Sequence, residues 1–185
     1  NRVPKKVICV SKGVAEGLKN EYGVYDKNLK VIYNGVRLIK DTQSPSSGIV
    51  SGKNYVFVGR LTKAKNLIFL VNTFAKLKSY YPDVRLKIIG DGPLRKELIQ
   101  KINEKCLNEC IDLVGYVDEP FKQIVGDHCF ILPSLWEGFG NVIVEALANG
   151  LPVIASNCEA GPAEILENGK YGYLFEPDNE EELLE

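Results

Sequence analysis

Tyr55-Val56-Phe57-Val58-Gly59-Arg60-Leu61-Thr62-Lys63-Ala64-Lys65-Asn66-Leu67 is an apolar run that breaks at a glycine, crosses a basic loop and enters a helical pattern. Its first four residues are apolar at every position, as a strand needs when both faces of its sheet are covered. From Leu67 onward, Leu70, Val71, Phe74, Leu77 and Lys78 follow the i, i+3, i+4, i+7 rhythm of an amphipathic helix. Strand, loop and helix in that order begin a βαβ unit. The loop then stands at the carboxyl end of the strand, the edge at which open α/β sheets bind ligands.

The same grammar recurs along the chain. Further strands are expected at Val7-Ile8-Cys9-Val10, Val31-Ile32-Tyr33, Leu86-Lys87-Ile88-Ile89, Ile111-Asp112-Leu113-Val114, Cys129-Phe130-Ile131-Leu132, Val153-Ile154-Ala155 and Tyr173-Leu174-Phe175. Helices are expected near Gly13 to Tyr22, from Pro93 through Leu94, Leu98 and Ile102, and from Asn141 to Ala148. A last one should open at Asp178, with Glu181 completing a capping box, and stop short at Glu185. Strands alternating with helices predict an α/β, Rossmann-like three-layer domain on a mostly parallel sheet. Residues 54–185 carry that domain, with the final helix truncated. Residues 41–53 are rich in Ser, Gly, Pro and Thr without periodicity and read as a loop or linker. Residues 1–40 hold a strand, a helix and a strand, either the start of the domain or an interdomain segment.

A chain of 185 residues suits one such domain and needs no metal or disulfide staple. Lys and Arg number 23 against 24 Asp and Glu, so no basic excess marks a nucleic-acid surface. No apolar run approaches the roughly 18 residues of a membrane span. The absence of Met suggests a piece of something longer. The odd set of Cys9, Cys106, Cys110, Cys129 and Cys158 is expected to be reduced thiols in a cytoplasmic protein, acting as small buried hydrophobes. Cys106 and Cys110 stand four apart, a spacing that could place both on one helical face, but the single histidine, His128, leaves a zinc site short of ligands.

Three loops can carry chemistry. After the first strand above, Gly59 allows close backbone approach, and Arg60 and Lys65 offer a planar fork and a point charge to a diphosphate. Equally, they are basic residues on a solvated loop. Gly90-Asp91-Gly92-Pro93-Leu94 is a second strand–turn–helix junction whose amides could face a ligand, although a G-x-G-x-x-G fingerprint fails at Arg95. The third is Pro133-Ser134-Leu135-Trp136-Glu137-Gly138-Phe139-Gly140-Asn141-Val142-Ile143-Val144-Glu145-Ala146. Here glycines expose amides at a helix start, where free donors and the macrodipole favour phosphate. Glu137 precedes that turn, placed to accept from sugar hydroxyls. Glu145 sits in an otherwise apolar helix, where a carboxylate is costly unless paired, and a ribose diol supplies two donors. Asn141, Glu145 and Asn149 also recur every four residues, the pattern of a solvent stripe; the Glu137-Gly138-Phe139-Gly140 turn tips the balance toward a ligand.

These residues together resemble the C-terminal domain of the group 1 glycosyltransferases (family 4), one half of a GT-B fold. The resemblance rests on Asn34-Gly35-Val36, Gly59-Arg60-Leu61 with Lys65-Asn66, Gly90-Asp91-Gly92-Pro93, and Glu137-Gly138-Phe139-Gly140 with Glu145, seven residues separating the two glutamates. It implies a donor-binding domain of a retaining enzyme that moves a sugar from a UDP- or GDP-linked donor to a hydroxyl acceptor, in polysaccharide or glycolipid biosynthesis. Arg60 and Lys65 match the pair that holds the diphosphate, and Glu137 the acid on the transferred sugar; these three form the expected catalytic set. Gly59, Gly138, Phe139, Gly140 and Asn141 match the loops around phosphate and sugar, and Glu145 the acid on the ribose. Gly90, Gly92, Tyr116 and Val117 lie where the family places base and ribose contacts. No metal or cofactor is expected. The acceptor domain, with the histidine the family draws from it, is missing from this stretch, and any contact with the inner membrane surface would lie there. His128 matches no motif position and reads as structural.

Two other classes stay open on the residues alone. One is a module that binds a nucleotide or phosphorylated sugar without chemistry; the other is an NAD-dependent oxidoreductase, weakened by Arg95 in place of the third glycine.

Overall fold

The computed structural model describes residues 6–36, 54–124 and 128–185. The expected loop at 41–53 lies outside them. The described strands are β1 (Val7–Cys9), β2 (Leu29–Val31), β3 (Asn54–Val58), β4 (Arg85–Ile89), β5 (Ile111–Gly115), β6 (His128–Leu132), β7 (Val153–Ser156) and β8 (Tyr173–Phe175). Every strand expected from sequence is found, with ends moved by up to two residues, as strand ends often are. The helices are α1 (Lys12–Tyr22), α2 (Leu67–Tyr80), α3 (Arg95–Glu104), α4 (Asn141–Ala148), α5 (Pro162–Ile165) and α6 (Glu180–Leu184).

Among the described residues β3 to β8 form one all-parallel sheet in the order β5-β4-β3-β6-β7-β8. Numbered from β3 this is the doubly wound order 3-2-1-4-5-6, the Rossmann arrangement. Because parallel crossovers are right-handed, the winding reverses between β3 and β6 and puts helices on both faces. Accordingly α2 packs against α3 and α6, while α4 packs against α5, β6 and β7. The central strands are the most covered: Val56, Phe57 and Val58 in β3 and Cys129 to Leu132 in β6 are all buried. Strand β5 at the edge alternates instead, with Ile111 buried and Asp112 and Val114 exposed. Phe57, Phe74, Phe130 and Phe175 lie fully within the core, where each aromatic ring removes about 150–250 Å² from water.

Strands β1 and β2 pair in parallel with each other, apart from the six-stranded sheet. Between them α1 is set by two local signals. Ser11 caps its start by accepting from the Val14 amide at 3.1 Å. Gly23 ends it in a left-handed conformation, φ 64°, with its amide turned back to the helix carbonyls.

Three local expectations need correction. Helix α3 begins at Arg95, two residues beyond Pro93, because Gly90 to Leu94 are held in a turn against the loop after β3. The last helix is capped by Asn179, whose side chain accepts from the Glu182 amide at 3.2 Å. Asp178 instead takes a left-handed φ of 61° and accepts from the Asn66 side chain at 2.7 Å. Cys106 and Cys110 do not share a helical face, since α3 stops at Glu104; Cys106 is exposed at φ 54° while Cys110 is buried before β5.

Candidate functional site

The winding reversal leaves a crevice at the carboxyl ends of β3 and β6, and there the loops that follow those strands meet. Gly59, Arg60, Lys65, Glu137, Gly138, Phe139, Gly140, Asn141 and Glu145 line a single cleft of about 560 Å³, joined by Val10, Asn34, Val58, Thr62 and Val142. Gly90, Gly92, Tyr116 and Val117 do not line it. They stand at the ends of β4 and β5, on the same edge of the sheet.

The two glycines after β4 have a packing role that sequence did not show. A Cβ on Gly90 would lie 1.8 Å from the Gly59 carbonyl oxygen, and one on Gly92 would lie 2.5 Å from that of Leu61. Their amides are engaged as well: Gly90 N–H donates to the Gly115 carbonyl at 2.8 Å and Gly92 N–H to the Asp91 carboxylate at 2.7 Å. In return the loop after β3 is tied down by Leu61 N–H on the Asp91 carbonyl, 2.9 Å.

The cleft is built from cations, a helix start and two carboxylates. Arg60 is exposed at its mouth and makes no ion pair among the described residues. Lys65, in a short helical turn closed by Asn66 at φ 52°, reaches across to Glu137, and its Nζ donates to Oε1. The Ser134 hydroxyl donates to the same oxygen at 2.6 Å. Side-chain exposure is only 18% for Lys65 and 10% for Glu137, so each ion lacks most of its water and depends on the other. The backbones beneath them are joined too, by Leu135 N–H on the Ala64 carbonyl at 2.8 Å.

Helix α4 begins at Asn141 behind Gly140, which takes φ 95° as N-cap and offers no side-chain cap. The first amides of a helix have no intrahelical acceptor, so this end presents donors and partial positive charge to the cleft. On the next turn Glu145 faces the same space. Burial pushes its carboxyl above the usual range, and no side-chain partner relieves it among the described residues.

The opposite wall comes from residues 6–36. Ser11 Oγ donates to the Gly138 carbonyl at 2.7 Å, and Asn34 Nδ2 to Asn141 Oδ1 at 2.9 Å. The Tyr33 ring lies 5.5 Å from that of Phe139, and its hydroxyl donates to Glu164, which also accepts from the Lys12 amide at 2.9 Å. Val10 stands in an expected strand, and Thr62, Val142 and Asn34 stand in quoted motifs without a role; only the fold shows that all four reach the cleft. His128 opens β6, in register with Asn54 and away from these loops.

With this geometry in hand, the family model for glycosyl transferases group 1 matches residues 39–185, most of the chain. The chain belongs to that family. An uncharacterized glycosyltransferase of Methanocaldococcus jannaschii is 38% identical over 140 residues, which are 69% of this chain and 34% of the relative. The N-acetylgalactosamine-N,N'-diacetylbacillosaminyl-diphospho-undecaprenol 4-alpha-N-acetylgalactosaminyltransferase of Campylobacter jejuni is 32% identical over 176 residues, 95% of this chain and 47% of the relative. The crystal structure of Anabaena HepE in complex with UDP and glucose superposes with a TM-score of 0.82 at 27% identity, covering the whole of this chain and 52% of that one. The chain thus spans about half the length, or less, of the relatives it matches. Among its described residues no helix is long and apolar enough to cross a membrane.

Proposed function

We propose that this chain is the donor-binding half of a retaining GT-B glycosyltransferase, which moves a sugar from a uridine diphosphate sugar to a hydroxyl acceptor. The observation that carries the reading is the convergence of Arg60, Lys65, the α4 start and both glutamates on one cleft at the winding reversal. The UDP and glucose bound in the HepE structure support the choice of base and ligand. The diphospho-undecaprenol-linked acceptor in the name of the Campylobacter relative supports a place in glycan assembly.

In this reading the diphosphate lies against the amides at the head of α4, between Arg60 and Lys65. As the sugar–phosphate bond lengthens, negative charge grows on the departing oxygen, and fixed donors and cations lower the barrier because they need no reorganisation. Glu137 accepts from hydroxyls of the transferred sugar, and Glu145 accepts from the ribose. The reading assigns charge neutralisation to these protein groups and needs no resident metal or protein nucleophile. A second domain, preceding this one in the full-length protein, would hold the acceptor and close over the cleft to exclude water. The protein works in the cytoplasm in this reading, and any membrane contact is made by residues outside this chain.

Calorimetric titration of the full-length protein with UDP and GDP tests the site. UDP should bind, and Arg60→Ala and Lys65→Ala should each weaken it by about 1–3 kcal/mol, the worth of one charge-assisted contact. Unchanged affinity in both variants removes the diphosphate from this cleft.

A further inference from the structure

We infer that Ser134 is a positioning residue for Glu137: it holds the carboxylate on the transferred sugar once the diphosphate has drawn Lys65 away. The inference rests on the donor-site reading above and adds to it a residue that touches neither sugar nor nucleotide.

Glu137 Oε1 has two donors, and they differ in kind. Lys65 brings an ammonium at the end of a four-carbon stem, a point charge with three rotatable donors, from the short helical turn after β3. Its charge has a competing destination whenever an anion occupies the cleft, because a diphosphate offers more negative charge than one carboxylate. Ser134 brings a neutral hydroxyl on the short chain segment just beyond β6, at 2.6 Å. Its residue is 0% exposed, so no solvent competes for that hydrogen bond. Ser134 is itself fastened, since its carbonyl accepts from the Ser156 hydroxyl on β7, which is also 0% exposed.

A carboxylate at 10% exposure cannot lose its cation without another donor, or desolvation would swing it toward water. Ser134 supplies that donor from a rigid base. Because both contacts fall on Oε1, the second oxygen is left for a sugar hydroxyl. On this arrangement Lys65 is shared between empty and loaded states, while Ser134 stays with Glu137 in both.

A buried serine that only satisfies its own hydroxyl would affect stability and nothing particular to the sugar, so the test compares ligands with and without one. In the full-length protein, affinity is measured calorimetrically for UDP and for a panel of UDP-glucose, UDP-galactose, UDP-N-acetylglucosamine and UDP-N-acetylgalactosamine. Ser134→Ala should weaken the best UDP-sugar by about 5- to 15-fold, the worth of one hydrogen bond, with UDP itself held within about twofold. Ser134→Cys, which keeps the volume and a weak donor, should fall between. Glu137→Gln should show the same selectivity for the sugar, and adding Ser134→Ala to it should cost nothing more, since residues in one network are not additive. Equal losses for UDP and UDP-sugar, an additive double variant, or a wild type that gains nothing from any sugar each overturn the inference. A wild type that binds no UDP or GDP fails at the earlier step and overturns the donor-site reading first.

Discussion

A Cβ on Gly161 would stand 1.8 Å from the carbonyl oxygen of Phe139. The loop before α5 and the loop before α4 therefore touch backbone to backbone, and only a glycine permits it. Gly161 also takes φ 94° with ψ −67°, a sparsely populated region outside the left-handed helical one, where a side chain is strained by about 1–3 kcal/mol from the backbone alone. Gly161→Ala should lower stability in urea by more than that and weaken UDP binding, although Gly161 does not line the cleft. Gly17→Ala is the control. Its Cβ meets nothing within 4 Å on α1, and removing a helical glycine should stabilise by about 0.4–1 kcal/mol. A Gly161→Ala protein with wild-type stability and affinity would show that the two loops are free to part.

The two cations of the cleft should separate in the absence of ligand. Arg60 is exposed and makes no ion pair among the described residues, so Arg60→Ala should change stability by no more than about 0.5 kcal/mol. Lys65→Ala leaves the Glu137 carboxylate, 10% exposed, with Ser134 as its remaining donor, and should cost about 1–3 kcal/mol. Urea unfolding of the two variants at neutral pH checks this. Equal stabilities would mean that the Lys65–Glu137 pair contributes nothing to the fold.

Glu145 gives a pH dependence of determinate sign. Burial raises its folded pKa above the unfolded value of about 4.3. The folded state then holds that proton more tightly than the unfolded state does, so the contribution to stability is lost as pH rises from the unfolded value through the folded one. Glu145→Gln should therefore raise the Tm at pH 7, and the gain should vanish at pH values below the unfolded carboxylate's. UDP affinity should meanwhile fall about tenfold, the scale of one hydrogen bond to a charged group. A Tm gain independent of pH would show that the carboxylate's charge is not the cause.

Thiol reactivity should follow burial. Burial pushes the Cys129 thiol up to about 11 and raises Cys158 too, while Cys9 and Cys110 are also enclosed. Cys106 alone of the five is exposed. In the native protein a maleimide should label Cys106 first, with the other four reacting only on unfolding, since the thiolate is the reactive form. Peptide mass spectrometry reads the order. Labelling of Cys129 at the rate of Cys106 would contradict the packing around β6.

Local signals carried much of this structure. Apolar runs such as Tyr55 to Val58 were legible as covered strands, and α4 begins and ends at the expected residues because its periodicity is uninterrupted. The errors fall where a distant partner overrides a local preference. Asp178 has the chemistry of a cap, but Asn66 holds it in another conformation, and Asn179 takes the role. Gly90 and Gly92 have, besides the ligand-facing place expected of them, a packing role that no local pattern carries: they make room for the chain at Gly59 and Leu61. Ser134 lay inside the quoted motif without a role, since a serine beside a proline has no signature until its acceptor is placed.

By itself the sequence determined which segments would be strands and helices, which loops would stand at strand ends, and which family the motifs resemble. These depend on periodicity and turn chemistry within a few residues. Tertiary structure alone decided which loops would meet. Lys65 and Glu137 are 72 residues apart, and they touch because β3 and β6 are neighbours at the point where the sheet reverses its winding. Pairing order is settled by burying both faces of the whole sheet at once, and no local stretch encodes that.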